Sequence, residues 1–170
     1  MDHLCHALAT NLDEAFPELV RVMQTEVFSG LRRIHGHEAE DLTQETFIRA
    51  YRALAGYDPQ RIRTMRLRGW VWTIALNLGR NALRDRARRP VPVETDDRYG
   101  VHDPEPPDSA AWDRRLATLT VHQRRAVVLR HVVDLPYGEI AEALGRPEGT
   151  VKADVHRGLE RLRTIMEEER

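Results

Sequence analysis

Three groups of residues have the types and spacing for recognition chemistry. The first is the stretch Glu139-Ile140-Ala141-Glu142-Ala143-Leu144-Gly145, followed by Arg146-Pro147-Glu148-Gly149-Thr150-Val151-Lys152. Ala141 is small enough for a second helix to cross above it. Gly145 supplies the positive φ that ends one helix, and Pro147 suits the entry to the next. Ile140, Leu144, Val151, Val155, Leu159 and Leu162 are placed to lock the pair together, which turns Lys152, Ala153, His156 and Arg157 outward. Such a helix-turn-helix fits the major groove of duplex DNA, with the N-terminal half of its second helix at the base edges. An ordinary helical hairpin with a polar outer face is the plainer account of the same pattern.

The second group lies on a long apolar stretch containing Trp70, Trp72, Asn77, Arg80, Asn81 and Arg84. Asn77 and Asn81 lie four apart, so they share a helical face. Asparagine is a poor mid-helix residue and calls for a compensating use. Arginines for phosphates, amides for base edges and nearby aromatic rings suit capture of a single strand. A hydrogen bond from Asn77 to the preceding loop is the lesser alternative. Trp70 reads as core rather than as a stacking surface, while Trp72 fits either role. The third group, Asp41, Gln44, Glu45 and Ile48, shares one helical face by spacing. An acidic and amide face beside an apolar residue suits a basic helical partner, though the pattern alone is met as well by a solvated polar face.

These groups need helices to position them, and the chain offers little else. No stretch alternates with the period of two that a strand needs. One helix is expected from Asp13 to Gly36, through Phe16, Leu19, Val20, Met23, Val27, Leu31 and Ile34. A second runs from Glu38 to about Leu54, and a loop from Ala55 to about Thr64. A third helix spans about Leu67–Arg88. Beyond it, Ser109 and Thr120 cap two helices, followed by Gly138–Leu144 and about Glu148–Glu168. Between the two sets, Pro90, Pro92, Pro104, Pro106 and Pro107 lie among six carboxylates and no periodic apolar residues, which describes a linker. The expected fold is therefore all-α, two small helical domains at 10–89 and 109–168 joined by a flexible acidic Pro-rich linker at 90–108.

The net charge of −1 over 170 residues hides strong segregation. Residues 61–90 hold nine Arg against one Asp, and residues 91–113 hold seven carboxylates against one Arg. A basic block of that density binds phosphate whatever the total charge is. Of 26 basic residues only Lys152 is a lysine, which suits bidentate contacts and also fits a GC-rich genome. The lone cysteine, Cys5, excludes an internal disulfide and fits a reducing compartment. With no signal peptide or membrane span, a cytoplasmic location is expected.

The residues Leu135-Pro136-Tyr137-Gly138-Glu139-Ile140-Ala141-Glu142-Ala143-Leu144-Gly145, with Glu148-Gly149-Thr150-Val151-Lys152 and His156-Arg157, resemble the promoter-reading domain of extracytoplasmic-function sigma factors of the sigma-70 family. Independently, Ala39-Glu40-Asp41-Leu42-Thr43-Gln44-Glu45-Thr46-Phe47-Ile48-Arg49-Ala50-Tyr51-Arg52 resembles that family's other domain. The resemblance covers nearly the whole chain outside the first ten residues and the linker.

It implies that Asp41, Gln44, Glu45 and Ile48 dock on the clamp coiled coil of core RNA polymerase. Arg61, Arg63, Trp72, Asn77, Arg80, Asn81 and Arg84 would capture the melted minus-ten strand. Thr150, Lys152, Ala153, His156 and Arg157 would read the minus-thirty-five duplex. It further implies a linker threading the polymerase channel, and an anti-sigma partner. No cofactor is expected and no catalysis.

The chain departs from the family pattern where Ala153-Asp154 replaces serine-arginine and Gly158-Leu159 replaces alanine-arginine. An exposed Asp154 would repel phosphate, and Gly158 would loosen the helix. Weak duplex binding, tightened by Asp154→Arg, is the expectation. The loop Tyr57–Arg66 is longer and more basic than is usual in the family.

His3, Cys5 and His6 fall in an expected frayed tail and His35 and His37 in a turn, so neither set reads as a metal site. Thr118 and Thr120 read as capping and loop residues. The rival readings are a helix-turn-helix regulator acting without polymerase, a nuclease lacking its carboxylate cluster, and a sigma-like protein without promoter activity. No further domain is expected after Arg163, where only Thr164–Arg170 remain.

Overall fold

The computed structural model describes the backbone of residues 1–88 and 109–169, and the side chains of residues 1–81 and 109–169. The expected linker 90–108 and the side chain of Arg84 lie outside the described residues. Among those described, every regular element is helical. They are α1 (Asp2–Thr10), α2 (Leu12–His35), a 3-10 turn, α3 (Ala39–Ala55), α4 (Pro59–Thr64), α5 (Leu67–Arg88), α6 (Ser109–Ala117), α7 (Val121–His131), α8 (Tyr137–Leu144) and α9 (Glu148–Glu168).

In the first lobe, α2 buries Leu19, Met23, Val27, Leu31 and Ile34 at helical spacing. Its start is fixed by Asn11, whose side chain accepts from the Glu14 amide. It ends at Gly36, with φ at 67°. Against it lies α3, burying Leu42, Phe47, Ala50 and Leu54. The buried hydroxyls of Thr43 and Thr46 donate back to the carbonyls of Ala39 and Leu42, each at 2.6 Å, so they carry no unmet bond into the core.

Two expectations change here. The first ten residues are not a frayed tail: α1 buries Cys5 and Leu8 and packs on α2 and α4. The Ala55–Thr64 loop holds α4, whose start is set by Pro59 at its first turn and by Asp58, which accepts from the Gln60 amide at 2.7 Å. Ile62 anchors it, at 3% exposed.

In the second lobe, Thr120 and Gln123 form a reciprocal capping box at the head of α7. α8 ends at Gly145, with φ 62° and ψ 39°, and the next amide, Arg146, bonds back to the Ala141 carbonyl at 3.0 Å. α9 crosses α7 so closely at Gly158 that a Cβ there would lie 2.6 Å from Val127 Cγ2. Gly158, expected to loosen the helix, instead permits the crossing. Leu159, expected inside, is 38% exposed.

The lobes pack on each other, α8 against α5 and α7 against α2. The pin is Arg68. It grips Glu26 through Nε at 3.0 Å and Nη2 at 2.8 Å, and reaches across to the Val133 and Asp134 carbonyls of the α7–α8 loop. Asp134 holds a left-handed φ of 58° in that loop. Glu26 also accepts from the indole of Trp72 at 3.0 Å. Nearby, His35 lies against Gly79 of α5, and both of its ring nitrogens are buried without a partner. Burial, then the charges of Arg125 and Arg124 on α7, push its pKa down to about 4.

This gives a signed pH dependence. Above the ordinary histidine pKa of about 6.5, His35 is neutral in the compact and the opened chain alike, so it adds no pH dependence there. As pH falls from there toward about 4, the opened or unfolded chain takes up a proton that the compact chain refuses, and stability is lost. Thermal melts of wild type and His35→Phe between those limits should diverge from parallel, with the variant losing less stability on acidification. Parallel curves would contradict the burial of the ring.

Candidate nucleic-acid interface

The described part of α5 presents two unlike faces. Val71, Trp72, Ala75, Leu76 and Leu78 are buried, while Asn77, Arg80 and Asn81 are exposed at helical spacing on the other side. That leaves two amides and a guanidinium in one outward row. Arg61 and Arg63 are also exposed, on α4 rather than on a loop. Arg61 sits 3.7 Å from the centroid of the Tyr57 ring, and Tyr57 meets Trp70 edge-on at 5.8 Å. This cation–aromatic stack joins α4 to the N-terminal end of α5.

One predicted strand-contacting residue is therefore misplaced. Trp72 is 0% exposed and its indole N–H is already satisfied by Glu26. It is core, and no base can reach it. Trp70, read from sequence as core, is only half-buried and stands in the stack with Tyr57. Spacing could not separate the two, because α5 is apolar around most of its girth. The mark that tells them apart is the carboxylate of Glu26, 46 residues away in sequence.

On α3, Asp41, Gln44 and Ile48 are exposed, Ile48 at 45%. Glu45 is half-buried and its carboxylate accepts from Arg49 Nε at 2.6 Å. Water thus meets an isoleucine flanked by an acid and an amide. Farther along the same helix, the Tyr51 hydroxyl donates to Asp13 at 2.5 Å, which raises the phenol's pKa and fixes α3 to α2.

On α9, Lys152, His156 and Arg157 are exposed, and Thr150 and Ala153 half-exposed, so the structure brings all five onto the outward side of the helix. Each of the three basic side chains has an acid beside it. Lys152 pairs with Glu148 at 2.7 Å, His156 with Glu160 at 3.3 Å and Arg157 with Asp154 at 2.9 Å. Lys152 also lies 5.5 Å from the Tyr137 ring of α8.

Asp154 reverses the expectation drawn from sequence. It is 5% exposed and accepts from both Arg146 and Arg157. It faces the lobe's interior beside Val151, Val155 and Gly158, not DNA. Asp154→Arg would place a third guanidinium at a point built around a carboxylate. Leaving buried charge uncompensated costs about 3–5 kcal/mol, so the variant should unfold at clearly lower urea rather than bind duplex more tightly. An unchanged midpoint would be inconsistent with this placement. Trp72→Ala should likewise cost about 3–5 kcal/mol, whereas Trp70→Ala should leave the midpoint within about 1.5 kcal/mol.

The chain matches the models of two families, Sigma-70 region 2 over residues 19–89 and Sigma-70 region 4 over residues 109–162. It is 37% identical to the ECF RNA polymerase sigma factor SigE of Mycolicibacterium smegmatis, over 93% of this chain and 65% of that protein. It is 32% identical to the ECF RNA polymerase sigma factor SigW of Bacillus subtilis, over 88% of each. The chain therefore spans about two thirds of one relative and most of the other. Its fold is similar to that of CnrH in complex with the cytosolic domain of CnrY, with a TM-score of 0.72 at 22% identity over 99% of this chain and 98% of that one. It is also similar to the sigma factor RpoE in complex with the anti-sigma factor NepR from Bartonella quintana, with a TM-score of 0.76 at 22% identity over 91% and 98%. With both sigma regions in order and a helical fold shared with these proteins, the chain belongs to the ECF sigma factors of the sigma-70 family.

Proposed function

We propose that this chain directs core RNA polymerase to promoters and stabilises the melted minus-ten element, without making or breaking a covalent bond. The observation that carries this reading is the outward row of Asn77, Arg80 and Asn81 next to the Tyr57–Trp70–Arg61 stack. A row of amides and guanidinium beside an aromatic ledge offers an unpaired base a stacking surface, hydrogen bonds to its edge and a phosphate contact. Holding the opened strand lowers the free energy of the open complex, which is how such a protein acts without being an enzyme. Arg63, on α4, and Arg84 belong to the same proposed strand path.

Asp41, Gln44, Glu45 and Ile48 form the proposed polymerase-docking face, in which an exposed isoleucine supplies apolar contact and the acids meet a basic helix. Thr150, Lys152, Ala153, His156 and Arg157 form the proposed duplex-reading face. Domain limits of 10–89 and 109–168 with the linker between them belong to the same proposal, extended at its start by α1. An anti-sigma partner is part of the reading, supported by structural neighbours described as complexes of that kind. Among the described residues, no helix is long and apolar enough to cross a membrane.

The test is run-off transcription and core co-sedimentation with the full chain. Asp41→Arg with Ile48→Asp should abolish co-sedimentation. Asn77→Ala with Asn81→Ala should retain core binding yet lower run-off by at least about tenfold, the scale of one or two lost base contacts. Permanganate reactivity of the melted strand should fall in parallel. Full transcription by the asparagine variant would overturn the assignment of α5. Tight promoter binding by the chain alone, with no affinity for core, would replace the reading with that of a stand-alone regulator.

A further inference from the structure

Asp154 is buried on a helix whose proposed task is to face outward. Its two oxygens are divided between two arginines. One accepts from Arg146, in the turn between α8 and α9, and the other from Arg157, on α9 itself. The other two acid–base contacts described on this helix, Lys152–Glu148 and His156–Glu160, are exposed on both sides, and such contacts exchange readily with water or another anion. Only the Asp154 pairs have a buried acceptor, at 7% side-chain exposure, with donors that remain open to solvent, Arg146 at 27% and Arg157 at 57%. Each guanidinium has five N–H donors in a rigid fork. With one committed to the carboxylate, the remaining donors have a fixed origin and direction.

A buried ion pair is weak evidence for stability, since an apolar residue of similar volume often serves as well. Fixed geometry is what this arrangement supplies. We propose that Asp154 is a positioning residue for duplex recognition. From one buried carboxylate it holds Arg146 and Arg157 as a preset pair of guanidinium groups for the DNA backbone and base edges. The side chains are then ordered on folding and not on binding, which raises affinity without adding a contact. The proposal rests on the reading of α9 as the duplex-facing helix. It also assigns Arg146, absent from the sequence-derived set, to the interface.

The sign of the effect separates this from simple electrostatics. If Asp154 merely cancelled positive charge, Asp154→Asn would tighten DNA binding; if it positions, the same substitution weakens it. Wild-type holoenzyme would be used to select duplexes from randomised DNA, and each variant holoenzyme tested on a selected duplex and on the same duplex with its upstream element scrambled. Wild type should prefer the intact element. Asp154→Asn should lower that preference about tenfold, the scale of one oriented arginine contact, while co-sedimenting with core as wild type does. Adding Asp154→Asn to Arg157→Ala should change little further, because both act through the same group.

A preference kept or increased by Asp154→Asn, or two effects that multiply, would overturn the proposal. No preference in wild type would instead sink the reading of α9 itself. Should Asp154→Asn fail to fold, Arg146→Lys and Arg157→Lys decide the matter, because they keep charge but lose the fork. Loss of preference in both upholds positioning, and retention in both overturns it.

Discussion

The carboxylate of Glu26 governs the layout of this molecule. It accepts from the Trp72 indole and from Arg68, so one group fixes both the heart of the first lobe and its bond to the second. A buried indole N–H without a partner would be costly, and Glu26 removes that cost. With Trp72 turned inward, the 3.6-residue period leaves Asn77, Arg80 and Asn81 no place but the outside. The face proposed to hold the melted strand is thus set by a residue on a different helix that has no role in recognition. Arg68 carries the same constraint onward. Its remaining donors reach the carbonyls of Val133 and Asp134, in the loop that leads into α8. The first helix of the proposed duplex-reading pair is therefore seated by the group that seats Trp72.

The two proposed DNA faces solve the charge problem differently. On the first lobe Arg61 is steadied by an aromatic ring, which leaves its charge undiminished. On α9 Lys152, His156 and Arg157 each lie beside an acid. A helix of that kind attracts DNA weakly at long range and depends on the placement of its donors once in contact. An exposed Asp154 opposing phosphate was the expectation from sequence. The carboxylate at 154 does not confront phosphate. It holds Arg146 and Arg157, the pair proposed to face the duplex.

The helices and most of the core were legible in the sequence, because apolar spacing, the Thr120 cap and Gly145 each have one good structural solution. Residues on polar faces were legible for the same reason: Asp41, Gln44, Asn77 and Lys152 are outside because the residues beside them in the chain, Leu42, Thr43, Leu76, Leu78 and Val151, turn inward. What failed were choices settled by partners distant in sequence. Trp70 and Trp72 differ through Glu26. Asp154 is buried because Arg146, eight residues earlier, comes back across a left-handed turn to meet it. Gly158 looked like a weakness because a single helix does not reveal that Val127 of α7 must pass at van der Waals contact. α1 was missed for a related reason: nine residues make a marginal helix alone, and only α2 and α4 give Cys5 and Leu8 something to pack against.

The packing of the two lobes bears on how such a chain could act at two places on a promoter. A permanent interface is expected to be large and apolar. This one contains a half-exposed ion pair at Arg68, an imidazole with no hydrogen-bond partner, and Arg125, buried with its Nε unmatched. Burial and the nearby Arg80 lower the Arg125 pKa, so its charge is poorly accommodated there. Such groups gain solvation when the lobes part, which offsets the contacts that are lost. Apolar contact also crosses the junction: α5 packs on α8 and α2 on α7, and the buried apolar residues of both lobes form one continuous cluster. Parting the lobes therefore trades apolar burial for the solvation of these polar groups, and a partner that holds them apart must offer apolar contact to both sides.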